Sequence, residues 1–323
     1  MRRAILTFDY ELFLGQDSGT AQKSIIEPTD KVIKLLKVNS AKAIFFVDAT
    51  YLLALKKYAS KDLEAISKQL KEIVKIGSSV ELHLHPQWLD AKPEGERWIF
   101  ESFEHYRLHS LSKDKIEELF IDGVAILEEI TGQKIRAFRA GGWSITPFEL
   151  LKNAFKNSGL LLDMSVCPGF YKKELPMHYY DFRNAPNEEY YKFSSDVLKK
   201  DNRGEFLEIP VTTYSMYGID LAINNILKKL KKDAIFGDGK GLASANVQGN
   251  VLKRVFKKNL RRATIEGQSS WFFKKSLKKL RDKSLISFVM HPKTLNREAL
   301  NNLQYLVKNF ETLNSAEIIK EYF

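Results

Sequence analysis

Residues 60–86, SKDLEAISKQLKEIVKIGSSVELHLHP, contain one complete helix–strand unit in a single run. Leu63, Ile66, Leu70 and Ile73 recur at helical spacing and form one apolar stripe, with a Ser start and a stop at Gly77. A short apolar strand, Ser79–Leu84, follows at once, and Pro86 ends it. A surface helix that feeds directly into a strand is the unit from which parallel sheets are built.

The same rhythm extends outward in both directions. Expected strands are Ala4–Phe8, Ala43–Val47, Ser79–Leu84, Ile135–Arg139, Leu160–Val166, Phe206–Thr212 and Leu285–Met290. Seven strands joined by crossover helices make an α/β chain with enough strands to close a barrel. Thr146-Pro147-Phe148-Glu149 reads as an N-cap, a first-turn proline and a capping glutamate, so a helix is expected from there to Gly159. Residues 86–110 and 168–205 lack a period and read as long loops that shape a cleft. GDGKGLASANVQGN at 237–250 reads as a mobile loop, since it lacks the Lys-Ser/Thr ending of a phosphate-binding loop. With no internal repeat and no break in composition, the expectation is a single domain over 1–323, with a basic helical elaboration at about 218–283 before the last strand.

Composition narrows the class. The 323 residues are 44% hydrophobic, enough for a sizeable core, and carry a net charge of +11. The opening apolar run is too short for a signal-peptide core, and no stretch approaches the roughly 20 apolar residues of a membrane span. Cys167 is the one cysteine, so no internal disulfide can form, and the expected address is cytoplasmic. The positive excess lies in the C-terminal third, in LKKLKKD at 227–233, LKRVFKKNLRRAT at 252–264 and WFFKKSLKKLRDK at 271–283. These segments read as amphipathic helices with solvated basic faces; an anionic membrane surface, an acidic substrate or nucleic acid are the partners they could meet. No zinc-finger or RNA-binding signature accompanies them, which argues against nucleic acid.

Polar residues stand where strands should end, the edge at which a parallel barrel gathers its loops and ligands. Asp9 and Glu11 are two apart, so both face one site while Tyr10 points away, and two adjacent carboxylates call for a proton or a cation between them. His83 and His85 repeat that spacing, and paired neutral imidazoles suit zinc and related ions. His291 ends a third apolar strand. Arg139 could clamp a carboxylate and Asp163 could orient an imidazole.

In this order the segments resemble the motifs of the polysaccharide deacetylase superfamily, that is, the NodB-homology or carbohydrate esterase family 4 group. TFDYE at 7–11 is similar to its opening motif and GSSVELHLHPQW at 77–88 to its metal-histidine motif. FRAGGWSIT at 138–146, LLLDMSVCP at 160–168 and LISFVMHP at 285–292 resemble the later ones. The resemblance spans roughly residues 4–292. It implies a distorted seven-stranded (β/α) barrel that removes an N-acetyl or other acyl group from a sugar or glycan precursor with a divalent metal. Zinc is the first expectation, with cobalt, nickel or manganese as alternatives.

Carried over, Asp9 becomes the base, Glu11 and His83 metal ligands, Arg139 the support of Asp9, and His291 the general acid, which Asp163 would orient. The family's second histidine falls on Gln87, a departure, so His85 is taken as the third ligand; an altered or missing metal site is the alternative. Trp143, Trp88 and Gln87 are the expected substrate contacts. Competing readings are a metal-independent or non-sugar amidohydrolase on the same barrel, and an inactive barrel that binds glycan or an anionic surface.

Overall fold

The computed structural model describes residues 2–15, 17–175, 177–241 and 256–323. Its centre is a curled parallel sheet built from β1 (Arg3–Tyr10), β2 (Ile44–Asp48) and β3 (Ser79–Leu84), then β6 (Ala137–Ala140), β7 (Leu162–Asp163), β11 (Phe206–Glu208) and β14 (Leu285–Met290), with the hairpin strands β4 (Ala91–Glu94) and β5 (Arg97–Phe100) lying outside it. Neighbours follow chain order, β1-β2-β3-β6-β7-β11, and β14 returns to the free side of β1. Short β15 (Glu311–Thr312) also pairs with β1, and β10 (Tyr191–Phe193) runs antiparallel at the β11 edge.

The seam between β11 and β14 is bridged by single hydrogen bonds. Thr212 N–H donates to Ser287 O at 3.1 Å, Ala263 N–H to Thr212 O at 2.7 Å, and Val289 N–H to Ala263 O at 3.0 Å. The result is the distorted barrel expected from the strand count.

The two-residue period of the strands sorts their side chains. Along β1, Ala4, Leu6, Phe8 and Tyr10 face the helices and join the large outer core. Ile5 faces inward, where it meets Ile44, Phe46, Ala137, Leu162, Met164, Leu207 and Leu285 in a compact inner cluster. Thr7, Asp9 and Glu11 continue that inward row, and Glu81, His83 and His85 form the matching row on and just beyond β3. The apolar floor of the barrel therefore gives way to polar groups at the carboxyl ends of its strands.

Outside the sheet lie α1 (Glu27–Val38), α2 (Ala49–Lys57), α3 (Asp62–Lys75) and α4 (Lys113–Thr131), followed in sequence by α5 (Lys152–Asn157) and α6 (Gly218–Lys231) and then by α7 (Ser270–Lys279), α8 (Arg297–Asn309) and α9 (Ser315–Tyr322). In α3 the stripe residues Ile66, Leu70 and Ile73 are fully buried, as the sequence pattern requires. No described helix is long and apolar enough to cross a membrane.

Three local expectations differ from the structure. The helix expected from Thr146 is delayed: Pro147 is extended (ψ 129°), a short turn spans Phe148–Leu150, and α5 starts at Lys152. Phe148 explains this, because its buried ring packs on Phe155, Phe193 and Phe206 at centroid distances of 5.5, 4.9 and 5.4 Å, and that burial outweighs the capping signal. The two long loops carry β-hairpins, β4–β5 and the pair β8 (Tyr171–Glu174) and β9 (His178–Asp181).

The basic segment 252–264 also differs, since Lys258–Arg262 forms β13 against β12 (Thr213–Tyr217) instead of a helix. Strand pairing takes precedence there because Arg262 lays its guanidinium over Trp143 and Phe170 at 5.1 and 5.6 Å. The segments 227–233 and 271–283 lie mainly on α6 and α7, as expected of helices. Residues 242–250 of the glycine-rich stretch and 252–255 of the basic one lie outside the described residues.

Candidate active site

Strand register builds the first half of the site. Phe8 pairs with Met290 in the β1–β14 ladder, so the next residues, Asp9 and His291, stand beside each other with Asp9 Oδ2 3.5 Å from His291 Nε2. On the other side, the Arg139 guanidinium donates to Asp9 Oδ1 at 2.5 Å, to Thr7 Oγ1 at 2.7 Å and to Met164 O at 2.9 Å. Burial by itself raises the Asp9 pKa, but Arg139 and then His291 and His83 outweigh it and leave Asp9 below its usual value. His291 moves the opposite way: burial disfavours its charge, while the Glu266 carboxylate, with Asp9 and Glu11, raises it above the ordinary histidine value. Glu266 Oε1 lies 3.0 Å from His291 Nδ1. The pair therefore favours the ionised form of the carboxylate and the protonated form of the imidazole.

The second half lies one step along the same strands. Glu11 Oε2 is 2.6 Å from His85 Nε2 and 3.3 Å from His83 Nε2, and the two imidazole nitrogens are 3.1 Å apart. His83 Nδ1 lies 2.7 Å from the Arg139 carbonyl, which can only accept, so Nδ1 carries the hydrogen and Nε2 of the neutral ring presents a lone pair. One nitrogen from each of the two imidazoles and a carboxylate oxygen converge within 4.8 Å, a set of ligand atoms that fits a divalent cation such as zinc. Glu11 sits well below the usual carboxylate range: burial opposes its charge, and the Lys293 ammonium and the two imidazoles overcome it. Lys293 Nζ donates to Glu11 Oε1 at 2.9 Å and to Leu12 O at 2.6 Å.

Both halves open into one cleft of about 350 Å³, walled by Tyr106, Trp143, Lys172 and His178. The Gly141-Gly142 pair permits this wall. A side chain at Gly141 would lie 2.3 Å from Leu84 O and 2.8 Å from the His85 ring, and Gly142 is left-handed (φ +59°) against Tyr106. Arg97 fastens the rim by bonding both Asp17 and Asp238, which joins the β4–β5 hairpin to the loop after β1 and to the segment before Gly241.

Asp9, Glu11, His83, His85, His291 and Trp143 thus meet around the cleft, with Arg139 directly behind Asp9. Three expected site residues stand elsewhere. Asp163 bonds Ser165 and lies beside Glu208 in a buried carboxyl pair, with burial raising the pKa of both, and Glu266 has the orienting place at His291 instead. Trp88 is packed among Tyr51, Trp98 and Phe100, and its indole N–H donates to Asp48 at 2.6 Å. Gln87 is fully buried in the turn Pro86–Leu89 and does not line the cleft. Sequence reasoning missed Glu266 and Lys293. The second had a signal, since it stands two residues after His291 and repeats the spacing of the other pairs.

Residues 2–151 match the family model described as polysaccharide deacetylase. Over that stretch, a little under half of its length, the chain is similar to the polysaccharide deacetylase family. A Mycobacterium smegmatis structure assigned to the polysaccharide deacetylases is similar in fold, with a TM-score of 0.50 at 13% identity, covering 98% of this chain and 88% of that one. A carbohydrate esterase family 4 pseudoenzyme from Bacillus anthracis aligns with a TM-score of 0.40 at 12% identity, over 99% of this chain and 66% of that one. A family 4 carbohydrate esterase from Streptomyces lividans, solved with acetate, aligns over 50% of this chain and 62% of that one, with a TM-score of 0.33 at 15% identity. A search of the curated proteins finds no match.

Proposed function

We propose that the chain is a metal-dependent hydrolase that removes an N-acetyl or similar acyl group from a sugar or glycan precursor. One observation carries the reading: Asp9, held by Arg139, stands 3.5 Å from His291, held by Glu266, next to a Glu11–His83–His85 cluster. An acid and a base of opposite charge state at one cleft floor are what amide hydrolysis needs.

Asp9 is the base. Arg139 occupies Oδ1, which leaves Oδ2 to take a proton from the attacking water. His291 is the acid: with Nδ1–H donated to Glu266, Nε2–H faces the cleft and protonates the departing amine. Glu11, His83 and His85 would hold the metal, which when bound supplies Lewis acidity toward the acyl oxygen and water. Trp143, backed by the Arg262 guanidinium, offers an aromatic wall for a sugar ring.

The test is acetate release from a panel of N-acetyl sugars, paired with metal analysis of the purified protein. Asp9→Asn and His291→Ala should each abolish most of the release. Undiminished hydrolysis by either variant would sink the assignment. A second reading, hydrolysis without a metal, is favoured by the Lys293 ammonium that already neutralises Glu11.

A further inference from the structure

Lys293 is the least expected group at the cleft floor. It is 7% exposed, and the turn Pro292–Thr294 delivers it two residues after His291. Its ammonium is bound by Glu11 Oε1 at 2.9 Å and Leu12 O at 2.6 Å, and it lies 5.2 Å from the Phe13 ring centroid. Its backbone is held as well, since Gly237 N–H donates to Lys293 O at 3.1 Å.

The charges of the floor decide what the lysine does. Asp9, Glu11 and Glu266 supply three carboxylates, and the Arg139 guanidinium pairs with Asp9 while the Lys293 ammonium pairs with Glu11. Glu11, the carboxylate of the candidate metal cluster, therefore already has a cationic partner with no added ion. A divalent cation would bring two further charges into a buried setting where screening is weak. It would also share a carboxylate whose other oxygen already bears an ammonium.

Resting on the metal-hydrolase reading above, we infer that Lys293 is a resident counter-ion of Glu11 that competes with the divalent cation, so that the site holds its metal loosely and keeps its shape without it. Lys293 is a positioning residue: it fixes the Glu11 carboxylate with Oε2 turned to His83 and His85, and it opposes charge added there.

The experiment titrates the chelator-treated full chain with zinc chloride alone, by calorimetry and by thermal melting. Lys293→Met should bind zinc at least tenfold tighter than the parent chain. It should melt lower than the parent without metal and recover most of that loss with zinc. Lys293→Arg, which keeps the charge, should bind as weakly as the parent. Lys293→Gln serves as a second neutral variant if the methionine variant folds poorly. Unchanged or weaker zinc binding in the neutral variants overturns the inference, as does failure of both to fold even with zinc, because zinc then cannot replace the ammonium. No substrate enters this assay, so failure of the deacetylase reading would appear in acetate release and leave the zinc result to stand or fall alone.

Discussion

Glu266 Oε1 stands 3.0 Å from His291 Nδ1, and the same carboxylate accepts the His291 backbone N–H. The acid thus has both its orientation and its charge set by one side chain from the segment that follows β13.

Glu266→Gln keeps an acceptor and removes the charge that raises His291. An acid must be protonated to act, so the alkaline limb of the kcat/KM profile should move down by about one pH unit, with roughly tenfold lower activity at pH 8. An unmoved limb would mean that His291 does not depend on Glu266.

Arg139→Met leaves Asp9 and Thr7 without their donor. Burial then dominates Asp9 and raises its pKa, so the acid limb of activity should move up, since the base must be ionised. The uncompensated carboxylate should also cost about 3 kcal/mol of stability, read by urea unfolding at pH 7.

Glu81 lies on the inward row below His83, where it accepts the Arg136 and Ala137 N–H groups and bonds Ser315 of α9. Burial pushes its carboxyl up to about 7. The folded state thus holds a proton that the unfolded chain releases near pH 4.5, so this group's contribution is complete below that pH and is lost as pH rises to about 7. The loss is up to about 3 kcal/mol. Glu81→Gln mimics the protonated form, so urea unfolding at pH 5 and pH 8 should show the variant without this slope and more stable than the parent at pH 8.

His85→Ala should weaken zinc binding by about 100-fold or more, because it removes one of three converging donors. Gln87→Leu should change it less than about threefold, because Gln87 stands off the cleft. Comparable losses in the two variants would return Gln87 to the metal site.

Strand positions were legible from a near-continuous apolar run in Leu285–Met290 and from apolar residues at every second position in Ser79–Leu84, and both match to the residue. Five of the polar residues around the cleft were legible for the same reason, since the two-residue period that carries Ile5 inward also carries Asp9 and Glu11. What stayed hidden depends on tertiary neighbours. Glu266 reaches His291 only because the β12–β13 hairpin lies across the seam, and no local pattern encodes that. Asp163 is inward-facing as expected, yet strand pairing sets it against Glu208 on β11. Trp88 sits in a motif rich in functional residues, but its apolar ring is drawn to Trp98 and Phe100, beyond reach of sequence proximity.

The β1–β14 ladder runs from Arg3 opposite Leu285 to Phe8 opposite Met290, and the base and acid are the next residue on each strand. The separation of their backbones is therefore a lattice spacing of the sheet, and Glu266 adds only the aim of the imidazole. The hairpins around the cleft could be exchanged to suit another substrate while the proton-transfer distance stays constant. By the same token, deleting one residue within 285–290 would turn His291 toward the helices and silence the chemistry.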